Sequence, residues 1–587
     1  MNGSDHHGSG GWARRLAGLL PARADWRPAR PQDLVAGATV AVVALPLALG
    51  FGVSSGLGAT AGLVTAIVAG AVAAVFGGSN LQVSGPTGAM TVVLVPIAHT
   101  HGADGVLTVG LLAGVLLLLL SAAGAGRYAR YVPAPVIEGF TLGIAGVIAL
   151  QQVPAALGVR TPAGEHVPLV AARAVADFLA QPAWPAVCLA VGVAVVVLLG
   201  ARWRPAIPFS LVAVALATAA SEAWSLPVAR IGALPAGLPS PEVAFLRLDD
   251  LGALVPAAVA VAALAALESL LSATVADAMS VNQRHDPDRE LFGQGLANIV
   301  TPLFGGVPAT AAIARTAVNV RSGATSRLAA LTHAVVLAGI AFAAAPLVAR
   351  IPLAALAGVL LATAIRMVEI GSVRALARAG RGDALVLTLT TVATLALDLV
   401  TAVIVGILVA GGLALRAVAR SARVAVVALD EGDHGQEERA LLAQHVVAYR
   451  LDGPLLFAAA HRFLLQLTDV ADARVVILRM SRVTAVDGTG ALALRDAIKR
   501  LEHRGKVVLV SGVRSGHERA LDAVDVLARL RDLGRVHPAT PEAVAFAREH
   551  LRGSGLLPAD GTAVPSGGDP RREDHALAEH PRAGNDE

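Results

Sequence analysis

Charge is what this chain lacks. Asp, Glu, Lys and Arg make up 15% of its 587 residues, against about 25% in ordinary soluble proteins. Hydrophobic residues reach 55%, and the mean hydropathy is +0.65. Between Leu34 and Ala103 no formal charge occurs at all, which excludes a plain cytosolic protein. Lysine is confined to Lys499 and Lys506, aromatic residues are 3%, and the net charge is only +4. A nucleic-acid module interleaves a basic patch with aromatics, so no nucleic-acid partner is expected. One cysteine, Cys188, excludes an internal disulfide and a multi-cysteine metal site. No GxxxxGK[ST] loop is present, which disfavours ATP-driven transport. The N-terminus lacks a short apolar region with a cleavage site, so no signal peptide is expected.

The charge that is present is unevenly placed: 46 of the 90 charged residues fall in 421–587. This divides the chain into a cytoplasmic tail (1–30), a transmembrane domain (31–420), a linker (421–444), a soluble domain (445–550) and a disordered tail (551–587). Charge-poor segments predict fourteen elements, near 34–52, 59–77, 86–99, 104–125, 133–153, 183–201, 206–222, 251–279, 291–304, 311–321, 327–349, 352–367, 383–397 and 399–418. A full span needs about 20 apolar residues, and 86–99 and 311–321 are the shortest. Arginine bias places Arg14, Arg15, Arg23, Arg27, Arg30, Arg127, Arg130, Arg202, Arg204, Arg374, Arg378, Arg381, Arg416 and Arg420 inside. The few outside include Arg160, Arg173, Arg230, Arg247 and Arg350. Both termini are then cytoplasmic, in an inner-membrane protein with an even number of crossings.

The halves echo one another. Phe76-Gly77-Gly78 precedes the first short element and Phe304-Gly305-Gly306 the second, while Asp33-Leu34 and Asp250-Leu251 open corresponding runs. This predicts a seven-plus-seven repeat, inverted because seven is odd. Short interrupted segments in corresponding halves point to a transporter's binding site. The first break runs through Ser84, Gly85, Pro86, Thr87 and Gly88, the second through Thr310, Ala311, Ala312 and Arg315. Small residues allow close backbone approach, and a helix start offers free N–H groups and about half a positive charge. Two such starts meeting in the membrane would make an anion site from backbone, unless the breaks are packing kinks alone. Arg315 either strengthens that site, pairs with Glu268 or snorkels to the surface. Glu268 stands alone in Leu251–Ala276, with Ser272 one turn later on the same face. Burial favours the neutral form of a carboxyl, so Glu268 is a candidate proton carrier, cation ligand or counter-charge to Arg315. Glu138 and Asp398 are isolated too, but nearer the predicted membrane faces.

These residues carry a resemblance to the SulP family of anion transporters, the sulfate-permease group. The carriers are Ala44–Gly52, Val83–Gly88, Glu268–Leu271 with Asp277, Arg284 and Asp286, Glu290-Leu291, Gly293–Asn298, Phe304–Pro308 and Arg315–Asn319. The resemblance implies an all-α fourteen-segment membrane domain with core and gate parts, elevator-type movement and a homodimer. It implies sulfate, bicarbonate, chloride or a dicarboxylate as substrate, held between half-helices three and ten. It adds Pro46 and Phe51 to the substrate site formed by Ser84, Gly85, Thr87, Gly88, Thr310, Ala311, Ala312 and Arg315. Glu268 and Ser272 match the cation ligands of sodium-dependent bicarbonate transporters, with Glu in place of Asp. The hydroxyl position on span ten is Ile313 here, which cannot ligate sodium, so a proton on Glu268 or an uncoupled mode is favoured. No cofactor is implied beyond a coupling H+ or Na+. The rival readings are a proton-coupled nucleobase carrier of the same architecture and a membrane sensor that signals without net transport.

The C-terminal segment predicts strands at His445–Leu451, Val475–Met480 and Val507–Ser511 alternating with helices, an α/β layer domain. It resembles the STAS domain of anti-sigma-factor antagonists, through which a cytoplasmic regulator could act. Thr489, in Asp487-Gly488-Thr489-Gly490, is either the N-cap of the following helix or a regulatory phosphosite.

Overall fold

The computed structural model describes residues 19–21, 26, 29–162, 166–204, 207–235, 237–246, 250–280, 283–397, 399–421, 423–427, 442–456 and 473–557. Arg14, Arg15, Arg23, Arg27, Arg247 and Asp398 lie outside the described residues, as do most of both tails and of the 421–444 linker. The chain divides into two compact units, Met1–Gly411 and Gly412–Glu587.

The first unit is helical. Its opening half contains α1 (Pro31–Ser54), α2 (Ala59–Phe76), strand β1 (Ser84–Gly85), α3 (Gly88–Ala122), α4 (Ala134–Leu157), α5 (Val167–Ala180), α6 (Trp184–Trp203) and α7 (Phe209–Ala223). The second half contains α8 (Leu251–Met279), α9 (Pro287–Leu303), strand β2 (Thr310–Ala311), α10 (Ile313–Arg321), α11 (Arg327–Ala343), α12 (Ala345–Val348), α13 (Leu353–Met367), α14 (Ile370–Ala379), α15 (Arg381–Ala396) and α16 (Leu399–Ser421). The order helix, helix, two-residue strand, helix recurs in both halves. Every predicted apolar element falls on a helix. The segments 86–99 and 104–125 run together in α3 across Gly102, whose backbone is non-helical (φ 67°). Eight helical stretches among the described residues are long and apolar enough to cross a membrane. The amphipathic helices α5 and α14 were not predicted, because a search for charge-poor runs passes over them.

The core of this unit is built from Ala, Gly and short aliphatics, and small residues let helix backbones approach closely in a membrane. Gly114 of α3 faces Gly295 of α9: a Cβ on either would lie 2.7–2.9 Å from the other's carbonyl oxygen. Buried polar ties fix the ends of helices. The Asp33 carboxylate accepts hydrogen bonds from the Thr325 and Ser326 backbone N–H groups (2.6 and 3.1 Å) and the Ser326 hydroxyl (2.8 Å), holding the start of α11. Arg327, 1% exposed, donates to the Ala74 and Val75 carbonyls at the end of α2 and to Asn80.

The second unit carries a five-stranded sheet in the order β3 (Arg423–Val427), β4 (Val446–Leu455), β5 (Val475–Val486), β6 (Val507–Ser511) and β7 (Val536–His537). Only the β3–β4 pairing is antiparallel. Helices α17 (Gly488–His503), α18 (Ser515–Asp522), α19 (Leu527–Asp532) and α20 (Thr540–Gly553) complete it. Strand β5 is buried on both faces, as parallel strands covered by helices are. Val476, Leu478 and Met480 meet α17–α19, while Val475 and Ile477 meet α20. The N-cap of α17 is Asp487, whose carboxylate accepts from the Gly490 N–H at 2.7 Å. That corrects the capping alternative for Thr489: Thr489 lies inside the first turn with an exposed side chain, because the carboxylate one position before the helix already holds the free donor.

Candidate functional site

The two sequence breaks meet. Strands β1 and β2 pair antiparallel, Ser84 opposite Ala311 and Gly85 opposite Thr310, and the Ala312 N–H donates to the Val83 carbonyl at 3.2 Å. Each strand leads directly into a helix: Thr87 is the N-cap of α3 and Ala312 that of α10. The first-turn N–H groups of a helix lack intrahelical partners, so two helix starts, each with about half a positive charge, converge on this crossing.

The side chains around the crossing differ between the two starts. The Thr87 hydroxyl accepts from the Met90 N–H at 3.4 Å and donates to Glu268 Oε2 at 2.9 Å. Glu268 and Ser272, one turn apart on α8, therefore reach different helices, α3 through Thr87 and α10 through Thr316. The Ser272 hydroxyl donates to Thr316 at 3.0 Å, and Thr316 in turn accepts from the Val83 N–H. Ala312 offers α10 no side-chain cap; Arg315 stands in the first turn instead, 2% exposed. Its Nη2 donates to the Pro86 carbonyl at 3.1 Å, whereas Nη1 is buried without a hydrogen-bond partner among the described residues. Arg315 and Glu268 form no direct ion pair, though each lies within electrostatic reach of the other. Of the three readings of Arg315, snorkelling is excluded by its burial and direct pairing by its geometry.

Gly85 is required here. Its φ is 153°, and a Cβ would stand 2.5 Å from Arg315 Nη1 and 3.3 Å from the Ala66 Cα. Gly88 is packed by Phe51 and Ile148, which brings Phe51 of α1, 7% exposed, to the start of α3. Pro46 is buried inside α1, just over a turn before Phe51. The Thr310 hydroxyl is spent on the Ala265 carbonyl of α8 at 3.1 Å.

Three groups at the crossing had no role assigned from sequence. On α9, Glu290, Gln294 and Asn298 follow one another at every fourth position, the spacing of a single helix face. Gln294 donates to the Ser84 hydroxyl (2.6 Å) and to Glu290 (2.9 Å), and Asn298 clamps Ala309 through both its amide atoms at 2.8 Å. That polar periodicity in an apolar chain was the available signal. From α10, Asn319 donates to the Leu81 carbonyl at 2.7 Å. His333 of α11 is fully buried, neither ring nitrogen has a partner among the described residues, and its ring lies behind Gly70, which in turn backs Ser84. A lone histidine between apolar neighbours gave no such signal.

The chain matches the sulfate permease family over residues 31–390 and the STAS domain over 440–543. It is 34% identical over 495 residues to the YvdB protein of Bacillus subtilis, covering 82% of this chain and 91% of that one. It is 31% identical over 510 residues to the bicarbonate transporter BicA of Synechocystis sp., covering 84% and 90%. Its fold also matches the murine Solute Carrier 26 family member A9 anion transporter, with TM-score 0.80 at 18% identity over 93% and 96% of the two chains. A match spanning most of the helical unit, joined to full-length relatives above 30% identity, leaves one assignment: the chain is a multi-pass membrane protein of the sulfate permease family, with a C-terminal STAS domain.

Proposed function

We propose that the chain is a secondary transporter, not an enzyme, that carries a small inorganic anion, sulfate or bicarbonate first, across the inner (plasma) membrane of the cell. The observation that carries this reading is the crossing of β1 and β2, where two helix starts converge on a buried guanidinium with a free N–H edge. An oxyanion between Gly88 and Ala312 would take first-turn N–H groups from α3 and α10 and a charge-assisted hydrogen bond from Arg315 Nη1. A site built in this way binds charge and oxygen lone pairs rather than a base edge, which disfavours a nucleobase substrate. The family name and the bicarbonate-transporting relative support the two leading substrates; chloride and dicarboxylates remain in the same chemical class.

Coupling in this proposal runs through Glu268. As a carboxylate it adds negative charge beside the site and opposes an anion; protonated, it leaves Arg315 and the helix starts unopposed. Anion and proton would therefore enter together, with Thr87 linking the carboxyl to the cap of α3. Ile313 offers sodium no ligand. The movement proposed is elevator-like, in a homodimer with both termini cytoplasmic, the STAS domain receiving a regulator or a phosphate on Thr489. Uptake of labelled sulfate, bicarbonate, chloride and fumarate into proteoliposomes, with and without sodium and a pH gradient, tests the reading. Saturable uptake of one inorganic anion that a pH gradient drives and sodium does not is the expected result. No uptake of any anion would favour the sensor reading.

A further inference from the structure

Helix α14 joins two apolar helices, α13 and α15, and so lies at a boundary between membrane and water. None of its residues is buried. Arg366 precedes it, Arg374 and Arg378 lie on it and Arg381 follows, all exposed. Arg374 and Arg378 fall at i and i+4 on one face of α14, and Arg381 opens the next helix just past the break at Gly380. None of the four makes an ion pair or hydrogen bond with the protein among the described residues, and the acidic residues within the segment are Glu369 and Asp383. Glu369 is itself engaged by the Ser372 hydroxyl at 3.1 Å. Ile365 and Ile370, each 58% exposed, adjoin these arginines.

The other amphipathic connector, α5, provides the contrast. It buries Ala171, Ala174 and Phe178 against the protein, and its single arginine, Arg173, already has a partner. Positive charge that only oriented the chain during insertion would not need an amphipathic helix. Basic amphipathic helices at a membrane surface attract anionic headgroups, while their apolar residues enter the acyl boundary. We propose that α14 and its flanking arginines bind anionic phospholipid headgroups, Arg374, Arg378 and Arg381 facing the phosphates and Ile365 and Ile370 the chains. A free phosphate would have no use for the two exposed isoleucines. Because α13 and α15 both pack against α4, the bound lipid anchors that group of helices.

The full-length chain is reconstituted in nanodiscs of phosphatidylglycerol and phosphatidylcholine in equal amounts, re-extracted in mild detergent, and its retained lipid measured by mass spectrometry. The wild type is expected to retain phosphatidylglycerol in excess. The R374Q/R378Q/R381Q variant should lose that preference, by about five-fold per arginine at low salt, with an unchanged melting temperature. R374K/R378K/R381K should keep it, and R202Q/R204Q at the end of α6 should leave it intact. Equal retention by the glutamine variant and the wild type would overturn the proposal, as would displacement of the lipid by inorganic phosphate. A glutamine variant that keeps its lipid but becomes monomeric would also overturn it and assign the arginines to a protein contact.

Discussion

The start of α3 and the start of α10 occupy corresponding places in the two halves, yet they are built differently. α3 begins with a side-chain cap, Thr87, carries no charge through its first turn and continues to the backbone break at Gly102. α10 begins without one, places Arg315 in its first turn and ends after 9 residues. Backbone supplies what the two share, a pair of converging positive helix ends. Side chains supply what differs: a titratable link at one end, through Thr87 to Glu268, and a fixed charge at the other. In the proposed reading, the repeat supplies the anion-binding frame twice while the coupling chemistry sits on one side alone.

Changes at the two starts should therefore have unequal consequences. The largest is expected from Arg315→Gln. Losing a charged hydrogen-bond donor at a buried site weakens binding by about 10- to 100-fold, read as apparent affinity for the anion in proteoliposomes. Gly85→Ala comes next: the new methyl group meets the guanidinium that Arg315 presents, an overpacking of about 1–3 kcal/mol, seen as lowered uptake and a lower melting temperature together. Glu268→Gln holds that side chain neutral. Wild-type uptake is expected to fall as pH rises and the carboxylate forms, whereas the variant should hold the acid-side rate across the range. A pH profile identical to wild type would remove Glu268 from coupling. Thr87→Val, which deletes a cap worth about 1 kcal/mol, should lower affinity about five-fold and flatten the pH response in part. The smallest effect on transport is expected from Asp487→Ala in the second unit, which costs about 1 kcal/mol of that domain's stability and leaves anion affinity unchanged. Any loss of affinity there would break the separation between site and soluble domain.

Hydrophobic runs made the helices legible, because apolar length in a membrane protein is set by the bilayer. α5 and α14 escaped notice, since Arg173 and Asp177, or Arg374 and Arg378, interrupt the charge-poor pattern that defines a span. Gly, Pro and small residues marked where the backbone breaks. The pairing of Ser84 with Ala311 depends on two segments more than 200 residues apart and has no local signal. The repeat was legible in Phe-Gly-Gly and in the order of elements, but Asp33 and Asp250 do different work. Asp33 binds the start of α11, whereas Asp250 precedes α8 without a side-chain cap. Among the site residues, Arg315 and Glu268 stood out because isolated charge in an apolar stretch is costly. That they lie near one another without pairing had no signal in the sequence: Arg315 Nη2 donates to the Pro86 carbonyl, and Glu268 accepts from the Thr87 hydroxyl.

The central claim, an anion held by two helix starts and the free edge of Arg315, is tested most directly by isothermal titration of the purified chain with sulfate and with bicarbonate, wild type against Arg315→Gln. Saturable binding of one of these anions by the wild type, weakened about 10- to 100-fold in a variant of the same melting temperature and oligomeric state, is the predicted result. Equal affinity in the two proteins would contradict it.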